Sequence, residues 1–253
     1  MNNKGVLFLA LSVAFFGYVL WNPRSTPSTT SSTLQVTAST GQGVANTGQA
    51  EPICVGEQCK LQAQAAMETA QVGINWPPRL GAAFPDLELM DSSGQRVRLS
   101  SFKGKLMLFE PIGMTCPACQ AFTGAHRVGS LGAITPQQGL ASIEELFPKY
   151  TRGLSLTDDR IVFVQLILYN MSMNAPSIDD ARAWANHFRM NRSSNFVVLA
   201  GTKHLVGQAS ADMIPGFQLV DRNFVLRFDS TGHQPRHRLF DELLPMVPQL
   251  LSQ

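Results

Sequence analysis

The sequence has little charge, and neither sign dominates. Asp, Glu, Lys and Arg make up only 15% of the 253 residues, and the formal net charge is +2. Proteins that bind nucleic acid through electrostatics usually carry a marked excess of basic residues, so we expect no nucleic-acid partner. The hydrophobic content of 44% is typical of a globular protein and excludes a wholly disordered chain.

Cysteine is also scarce, and the four cysteines fall into two close pairs. Cys54 and Cys59 form a C-x4-C pattern, and Cys116 and Cys119 form a C-x-x-C pattern. A C-x-x-C pair can supply half of a zinc site or a disulfide that opens and closes reversibly. No second C-x-x-C pair follows, which makes the zinc interpretation the weaker one.

The C-x-x-C pair lies between an apolar run and a short helical pattern. Residues 106–109 are apolar and predict a strand, and residues 120–123 predict a helix. Cys116 would then lie near the N-terminus of the helix, where free N–H groups and the helix dipole favour a thiolate. Pro117 suits the first turn of a helix, because its missing N–H would have no partner there. This placement predicts a reactive first cysteine.

Only one long hydrophobic run occurs, and it lies at the N-terminus. After Lys4, the seventeen residues from Gly5 to Trp21 carry no charge, which is the layout of an export signal. No small-x-small cleavage site follows, so we favour the prediction that residues 1–22 form a signal anchor that is retained in a membrane. The alternative is an export signal that is cleaved. The remainder of the chain would then lie outside the cytoplasm.

Residues 23–75 are predicted to form a flexible linker. Residues 23–50 are rich in Ser, Thr, Gly, Gln and Pro, and such a composition buries too little apolar surface to offset the entropy of ordering. The linker also carries Cys54 and Cys59. In an oxidising compartment these two would form a local structural disulfide. An auxiliary redox pair that exchanges with the main one, or a metal clip, remains open.

Residues 76–253 are predicted to form one α/β domain. The pattern has a hairpin at each end and alternating strands and helices between them, which predicts a mixed sheet with helices on both faces. The predicted strands cover residues 84–90, 97–99, 105–109, 160–168, 195–199, 217–221 and 224–228, and the predicted helices begin near residues 120, 141, 177 and 235.

The order of these elements resembles the thioredoxin superfamily. The nearest resemblance is to membrane-tethered periplasmic proteins of the TlpA/ResA type, with the AhpC/TSA and Sco groups as neighbours. The resemblance extends over residues 76–250. It rests on the hairpin at 84–105, on Cys116-Pro117-Ala118-Cys119, and on the segment from Asp212 to Asp221. It implies a thioredoxin-like fold with an N-terminal hairpin and an insertion after the C-x-x-C helix.

The resemblance also implies roles for two further residues. Pro215 matches the family's cis-proline, which faces the disulfide and leaves the backbone before it free to pair with an extended substrate. An ordinary trans proline at a strand start is the alternative. Glu110 matches the buried carboxylate that helps to take the proton from the resolving thiol. The alternative is a strand-end carboxylate in solvent, because Pro111 follows and would bend the chain away.

The resemblance implies a periplasmic thiol–disulfide oxidoreductase at the bacterial inner membrane, acting as a reductase. It would exchange its Cys116–Cys119 disulfide with a client protein and with a membrane electron donor or acceptor. Its only cofactor would be that disulfide. Two alternatives remain: a Sco-like copper chaperone that uses Cys116 and Cys119 with Met114 or His204, and a peroxidase that uses Cys116 with Thr115 and Arg127.

Overall fold

The computed structural model describes residues 75–253. The predicted anchor at 1–22, nearly all of the predicted linker and the pair of Cys54 and Cys59 lie outside the described residues. Between residues 75 and 253, no helix is long and apolar enough to cross a membrane.

A seven-stranded mixed sheet forms the centre of the described domain. The strand order is β2-β1-β5-β4-β3-β6-β7. Strands β3, β4 and β5 run parallel, and all other neighbouring pairs are antiparallel. The strands are β1 (Glu88–Asp91), β2 (Arg96–Arg98), β3 (Leu106–Gly113), β4 (Ile161–Tyr169), β5 (Phe196–Ala200), β6 (Gly216–Val220) and β7 (Leu226–Thr231).

Helices connect the strands, and buried residues form a core on each face of the sheet. The helices are α1 (Pro117–Thr123), α2 (Ala125–Val128), α3 (Ile143–Tyr150), α4 (Ile178–His187), α5 (Gln208–Ala211) and α6 (Val247–Leu251). Every residue of β3 and β4 is buried, as expected of central strands covered on both faces. One core includes Leu108 and Cys119, and the other includes Met107 and Phe109. Alternate residues of β3 therefore face opposite cores.

The fold is identified by four adjacent strands of the sheet, in the order β4, β3, β6 and β7. β3 and β4 are parallel and are joined through α1, α2 and α3, while β6 is antiparallel to β3 and β7 is antiparallel to β6. The hairpin of β1 and β2 precedes this unit, and additional chain lies between α1 and β4. The described domain has a thioredoxin-like fold. The predicted mixed sheet, N-terminal hairpin and insertion are confirmed.

β1 begins at Glu88 and β7 at Leu226, later than the predicted residues 84 and 224. Two further elements differ from the sequence-based prediction for a physical reason. β3 continues to Gly113, past the expected end at residue 109, although it contains Pro111. The pairing of β3 with β6 ends at Phe109 and Gln218, so at Pro111 only β4 remains paired, and a missing N–H is tolerated there. The predicted last helix consists of three short helical segments between Leu239 and Leu251. Pro245 and Pro248 interrupt its hydrogen bonding, as proline does in a helix.

We predict that Gly216→Ala lowers the free energy of unfolding by about 3 kcal/mol or more. A Cβ at Gly216 would lie 2.2 Å from Ser230 O and 2.5 Å from Thr231 Cα, and the glycine has φ +144°. Gly139→Ala is the matched control, because Gly139 has φ +75° with nothing within 4 Å, and its cost should be about 1–2 kcal/mol. Denaturant titration measures both, and equal losses would contradict the close approach of β6 and β7.

Candidate active site

The two thiols of the C-x-x-C motif lie where β3 gives way to α1, and they differ in exposure. Cys116 is the N-cap residue of α1 and is half-buried, while Cys119 is fully buried within the helix. Pro117 occupies the first helical turn, as predicted. The N–H of Cys119 donates a hydrogen bond to Cys116 Sγ over 3.2 Å. Both thiols are free. Cys116 Sγ is therefore accessible to a substrate, whereas Cys119 Sγ is buried behind it.

The surroundings shift the pKa values of the two thiols in opposite directions. The hydrogen bond with the Cys119 thiol lowers the pKa of Cys116, and the backbone N–H groups of Cys119 and Ala118 act in the same direction against burial. Burial raises the pKa of Cys119 well above its usual value, and the interactions with Cys116 and Glu110 add to this effect. Cys116 is thus the thiol that ionises first, which suits it to act as a nucleophile.

Glu110 is fully buried in β3, on the same side of the sheet as Cys119. Its neighbour in register on β4 is Gln165, whose Nε2 donates to Glu110 Oε2 over 2.7 Å. Burial raises the pKa of Glu110 well above its usual value, the Gln165 hydrogen bond opposes this shift, and a charge on Cys116 reinforces it. The solvent-facing alternative for Glu110 is wrong, because Pro111 does not turn the strand away from the core. The role of Glu110 in proton exchange stays a prediction.

The segment before β6 lies beside the C-x-x-C motif. The Ile214–Pro215 peptide bond is cis, as predicted. A Cβ placed on Gly113 would lie 3.7 Å from Ile214 Cδ1 and 4.0 Å from Cys116 Cβ, so Ile214 and Cys116 border the same space. The structure therefore brings Glu110, Cys116 and Cys119 together, and it places the residue that precedes cis Pro215 beside Cys116.

The residues proposed for the alternative functions are not brought together in the same way. Arg127 donates to Glu144 and lies against Gly124, at the opposite end of α1 from Cys116. Thr115 Oγ1 donates to Met173 Sδ over 3.1 Å. The Thr115 and Arg127 pair of the peroxidase hypothesis thus does not converge on Cys116.

No metal site emerges from the described part of the chain. His233 and His237 have the i, i+4 spacing of a zinc half-site, but His237 Nδ1 accepts from the N–H of Asp229 over 3.1 Å. Within residues 75–253, no group of three or more His, Cys, Asp or Glu residues could hold a metal ion. Met114 is buried in the same core as Cys119. The copper hypothesis stays a prediction, and no contact of His204 with either thiol supports it among the described residues.

Sequence reasoning missed the buried polar residues that surround Glu110. Gln165 donates from Nε2 to both Glu110 and Thr123, and the Nε1–H of Trp184 donates to Gln165 Oε1. A signal was present, because Gln165 is a single polar residue within a run of eight apolar ones, Ile161–Tyr169. A lone glutamine in a fully buried strand needs hydrogen-bond partners, but the sequence does not reveal which residues supply them.

Comparisons with known proteins found likeness only among solved structures. No family model and no curated protein matches the chain. A candidate electron transfer protein from Aquifex aeolicus VF5 aligns with a TM-score of 0.46 and 15% identity, over 69% of this chain and 99% of that one. The thioredoxin domain of a thiol-disulfide oxidoreductase from Bacteroides vulgatus aligns with 0.40 and 16%, over 63% and 91%. An uncharacterized thioredoxin-like protein from Porphyromonas gingivalis aligns with 0.43 and 16%, over 69% and 95%.

These values are too low to transfer an activity to this chain. The identities lie at 15–16% and the TM-scores lie below 0.5. The case for a function therefore rests on the geometry of the site.

We predict that Glu110→Gln makes the free energy of unfolding less dependent on pH. An unfolded Glu ionises near pH 4.3, whereas burial keeps Glu110 protonated to a higher pH in the folded protein. Between these two pKa values the folded state binds more protons, so its free energy of unfolding falls as pH rises, by at most about 1.4 kcal/mol per unit. The stability of the reduced Glu110→Gln protein relative to the parent should therefore increase from pH 4.5 to pH 8.

Glu144→Gln is the control with the opposite sign. Partial burial raises the pKa of Glu144, but the hydrogen bonds and charges of Arg192 and Arg127 outweigh it and lower the pKa. The Glu144 contribution is present above the unfolded pKa of about 4.3 and is lost only as pH falls below that value, so Glu144→Gln should differ from the parent by a constant amount from pH 4.5 to pH 8. Urea titration of the three reduced proteins across this range measures the effect. A pH-independent difference between Glu110→Gln and the parent would contradict a buried, protonated Glu110.

Proposed function

We propose that this protein is a thiol–disulfide oxidoreductase in which Cys116 is the nucleophile and Cys119 is the resolving thiol. The observation that carries this proposal is the asymmetry of the pair. The half-buried Cys116 Sγ accepts the Cys119 N–H at the start of α1, while Cys119 is buried on the side of the sheet that holds Glu110. Nucleophilic attack needs an exposed sulfur with a lowered pKa, and resolution needs a second thiol close behind it.

The reaction proceeds in two exchange steps. The Cys116 thiolate attacks one sulfur of a client disulfide, so that a mixed disulfide forms and one client thiolate leaves. Cys119 then loses its proton and attacks Cys116 Sγ, which forms the Cys116–Cys119 disulfide and releases the second client thiolate. Two electrons pass from the protein to the client. Glu110 is the group that we assign to accept the Cys119 proton, because a buried carboxyl with a raised pKa exchanges protons closer to neutral pH.

We further propose that the protein works as a reductase on the periplasmic side of the bacterial inner membrane. The uncharged run from Gly5 to Trp21 supports an anchor, and the low-complexity residues 23–50 support a tether. In this proposal, a membrane electron donor reduces the Cys116–Cys119 disulfide after each turnover, and the client is a protein with an accessible disulfide. The redox-active disulfide is the only cofactor that the proposed reaction needs.

We predict that Cys119→Ser accumulates a mixed disulfide at Cys116, whereas Cys116→Ser does not form one at Cys119. Both changes are made in the full chain carrying Cys54→Ser and Cys59→Ser, so that a single described thiol remains in each protein. Oxidised glutathione serves as the probe, and intact mass reports its attachment. The half-buried Cys116 should react, and the fully buried Cys119 should not.

Unfolding in urea provides the control, because both single thiols become exposed and should then react equally. Equal attachment of glutathione to the two folded proteins would overturn the assignment of Cys116 as the nucleophile. If neither folded protein reacts although both react in urea, the oxidoreductase proposal fails.

A further inference from the structure

A buried hydrogen-bond network links Glu110 to the helix that carries Cys119. Trp184 Nε1 donates to Gln165 Oε1 over 3.0 Å, and Gln165 Nε2 donates to Glu110 Oε2 over 2.7 Å and to Thr123 Oγ1 over 2.8 Å. Thr123 Oγ1 in turn donates to the carbonyl of Cys119 over 2.8 Å. These groups come from α4, β4, β3 and α1, and each residue of the network is buried. In such surroundings an unsatisfied polar group is costly.

The network allows the Gln165 side chain only one orientation. An indole N–H can only donate, so the amide atom facing Trp184 must be the oxygen. The Thr123 hydroxyl donates its hydrogen bond to the Cys119 carbonyl, so the amide atom that faces Thr123 must be a donor. A flipped amide would place its NH2 group against the indole N–H and its oxygen against Glu110. The Trp184 bond therefore determines that Gln165 presents its two N–H groups to Glu110 and Thr123.

The two donors of the Gln165 amide leave one oxygen of Glu110 without a hydrogen bond. Gln165 has two amide hydrogens, and the bonds to Glu110 Oε2 and Thr123 use both. Among the described residues, Glu110 Oε1 has no hydrogen-bond partner. One carboxyl oxygen is thus held by a donor that never titrates, and the other remains available.

Within residues 75–253, the titratable groups that interact with Glu110 are the two thiols at the start of α1. The charge of Cys116 acts on Glu110, and the charge of Glu110 acts on Cys119. β4 contributes Gln165 to this face, α4 contributes Trp184, and β6 contributes Phe217 and Leu219, none of which titrates. A proton that reaches or leaves Glu110 within the core therefore exchanges with a cysteine.

We propose that Gln165 is a positioning residue for Glu110, oriented by Trp184, and that it reserves Glu110 Oε1 for the proton that leaves Cys119. This inference rests on the proposed function and names the residues that control its second step. In that step the S–H bond of Cys119 breaks and its proton binds Glu110 Oε1. The Cys119 sulfur then forms the bond to Cys116 Sγ, while the bond from Cys116 Sγ to the client sulfur breaks and the client thiolate leaves. When the Cys116–Cys119 disulfide is reduced again, the proton returns to Cys119.

The physical effect of Gln165 is to favour the carboxylate against burial. Its hydrogen bond lowers the pKa of Glu110, which burial raises. Without that bond, Glu110 accepts a proton at a higher pH, and the fraction of carboxylate at a given pH falls. A hydrogen bond to a charged group changes a pKa by about one unit or more, so the pH midpoint of the resolving step should rise by about one unit or more.

The test follows the resolving step from pH 5 to pH 9 in the full chain carrying Cys54→Ser and Cys59→Ser. Reduced protein is mixed with oxidised glutathione, quenched with acid, and the decay of the Cys116–glutathione mixed disulfide is measured by mass. Gln165→Met should raise the pH midpoint by about one unit or more. Trp184→Phe, which removes only the N–H that orients the amide, should raise it by a smaller amount. The pH profile of Cys116 alkylation should shift less than this midpoint in both variants, because Glu110 acts on Cys116 only through its charge.

Gln218→Met is the matched control. Gln218 is also fully buried in a strand, but it pairs with Phe109 in register and so lies on the opposite face of the sheet from Glu110. Among residues 75–253, neither polar atom of its amide has a hydrogen-bond partner. Gln218→Met should leave the pH midpoint where it is. Each variant is first checked for folding by its thermal transition, and Trp184→Phe keeps the test valid if Gln165→Met does not fold.

Two outcomes overturn the positioning role while the proposed function stands. In the first, Gln165→Met and Trp184→Phe resolve the mixed disulfide with the midpoint of the parent. In the second, Gln218→Met shifts the midpoint as far as Gln165→Met does, which would indicate a general effect of core substitutions. If the parent protein forms no mixed disulfide at all, the proposed function itself fails.

Discussion

The site depends on the contacts of Cys119 with Cys116 Sγ, which are the interaction of its thiol and a hydrogen bond from its backbone N–H over 3.2 Å. This bond exists because β3 ends just before Cys116 and α1 begins at Pro117, so that Cys116 caps the helix. A donor aimed at a sulfur stabilises the thiolate over the thiol. The same turn of helix draws Cys119 into the core. One short junction therefore creates both the accessible thiol and the protected one.

Burial then has two uses in this domain. It raises the pKa of Cys119, which keeps the resolving thiol protonated until it attacks the mixed disulfide. It also raises the pKa of Glu110, which makes a carboxyl group a useful proton acceptor nearer neutral pH. Gln165 moderates the second effect by holding one oxygen of Glu110. The chemistry thus depends on how the core packs around three ionisable groups that lie close together.

Local features of the site could be predicted from the sequence, and long-range ones could not. Pro117 marked the start of α1, and the helix predicted to begin near residue 177 is α4, whose capping box is formed by Ser177 and Asp180. The extent of β3 beyond Glu110 depends on pairing with β4, and the contact of Gln165 with Glu110 spans 55 positions in the chain. Register between strands this far apart is set by the packing of the whole sheet, which a single sequence does not show.

The reduction potential of the Cys116–Cys119 pair tests the central claim most directly. It is measured in the full chain carrying Cys54→Ser and Cys59→Ser, equilibrated in dithiothreitol buffers, with Cys119→Ser as the control that has no couple. We predict one reversible two-electron transition near that of thioredoxin, about −270 mV. A potential near about −120 mV would contradict the reductase direction. The absence of any reversible two-electron transition would contradict the thiol–disulfide oxidoreductase itself.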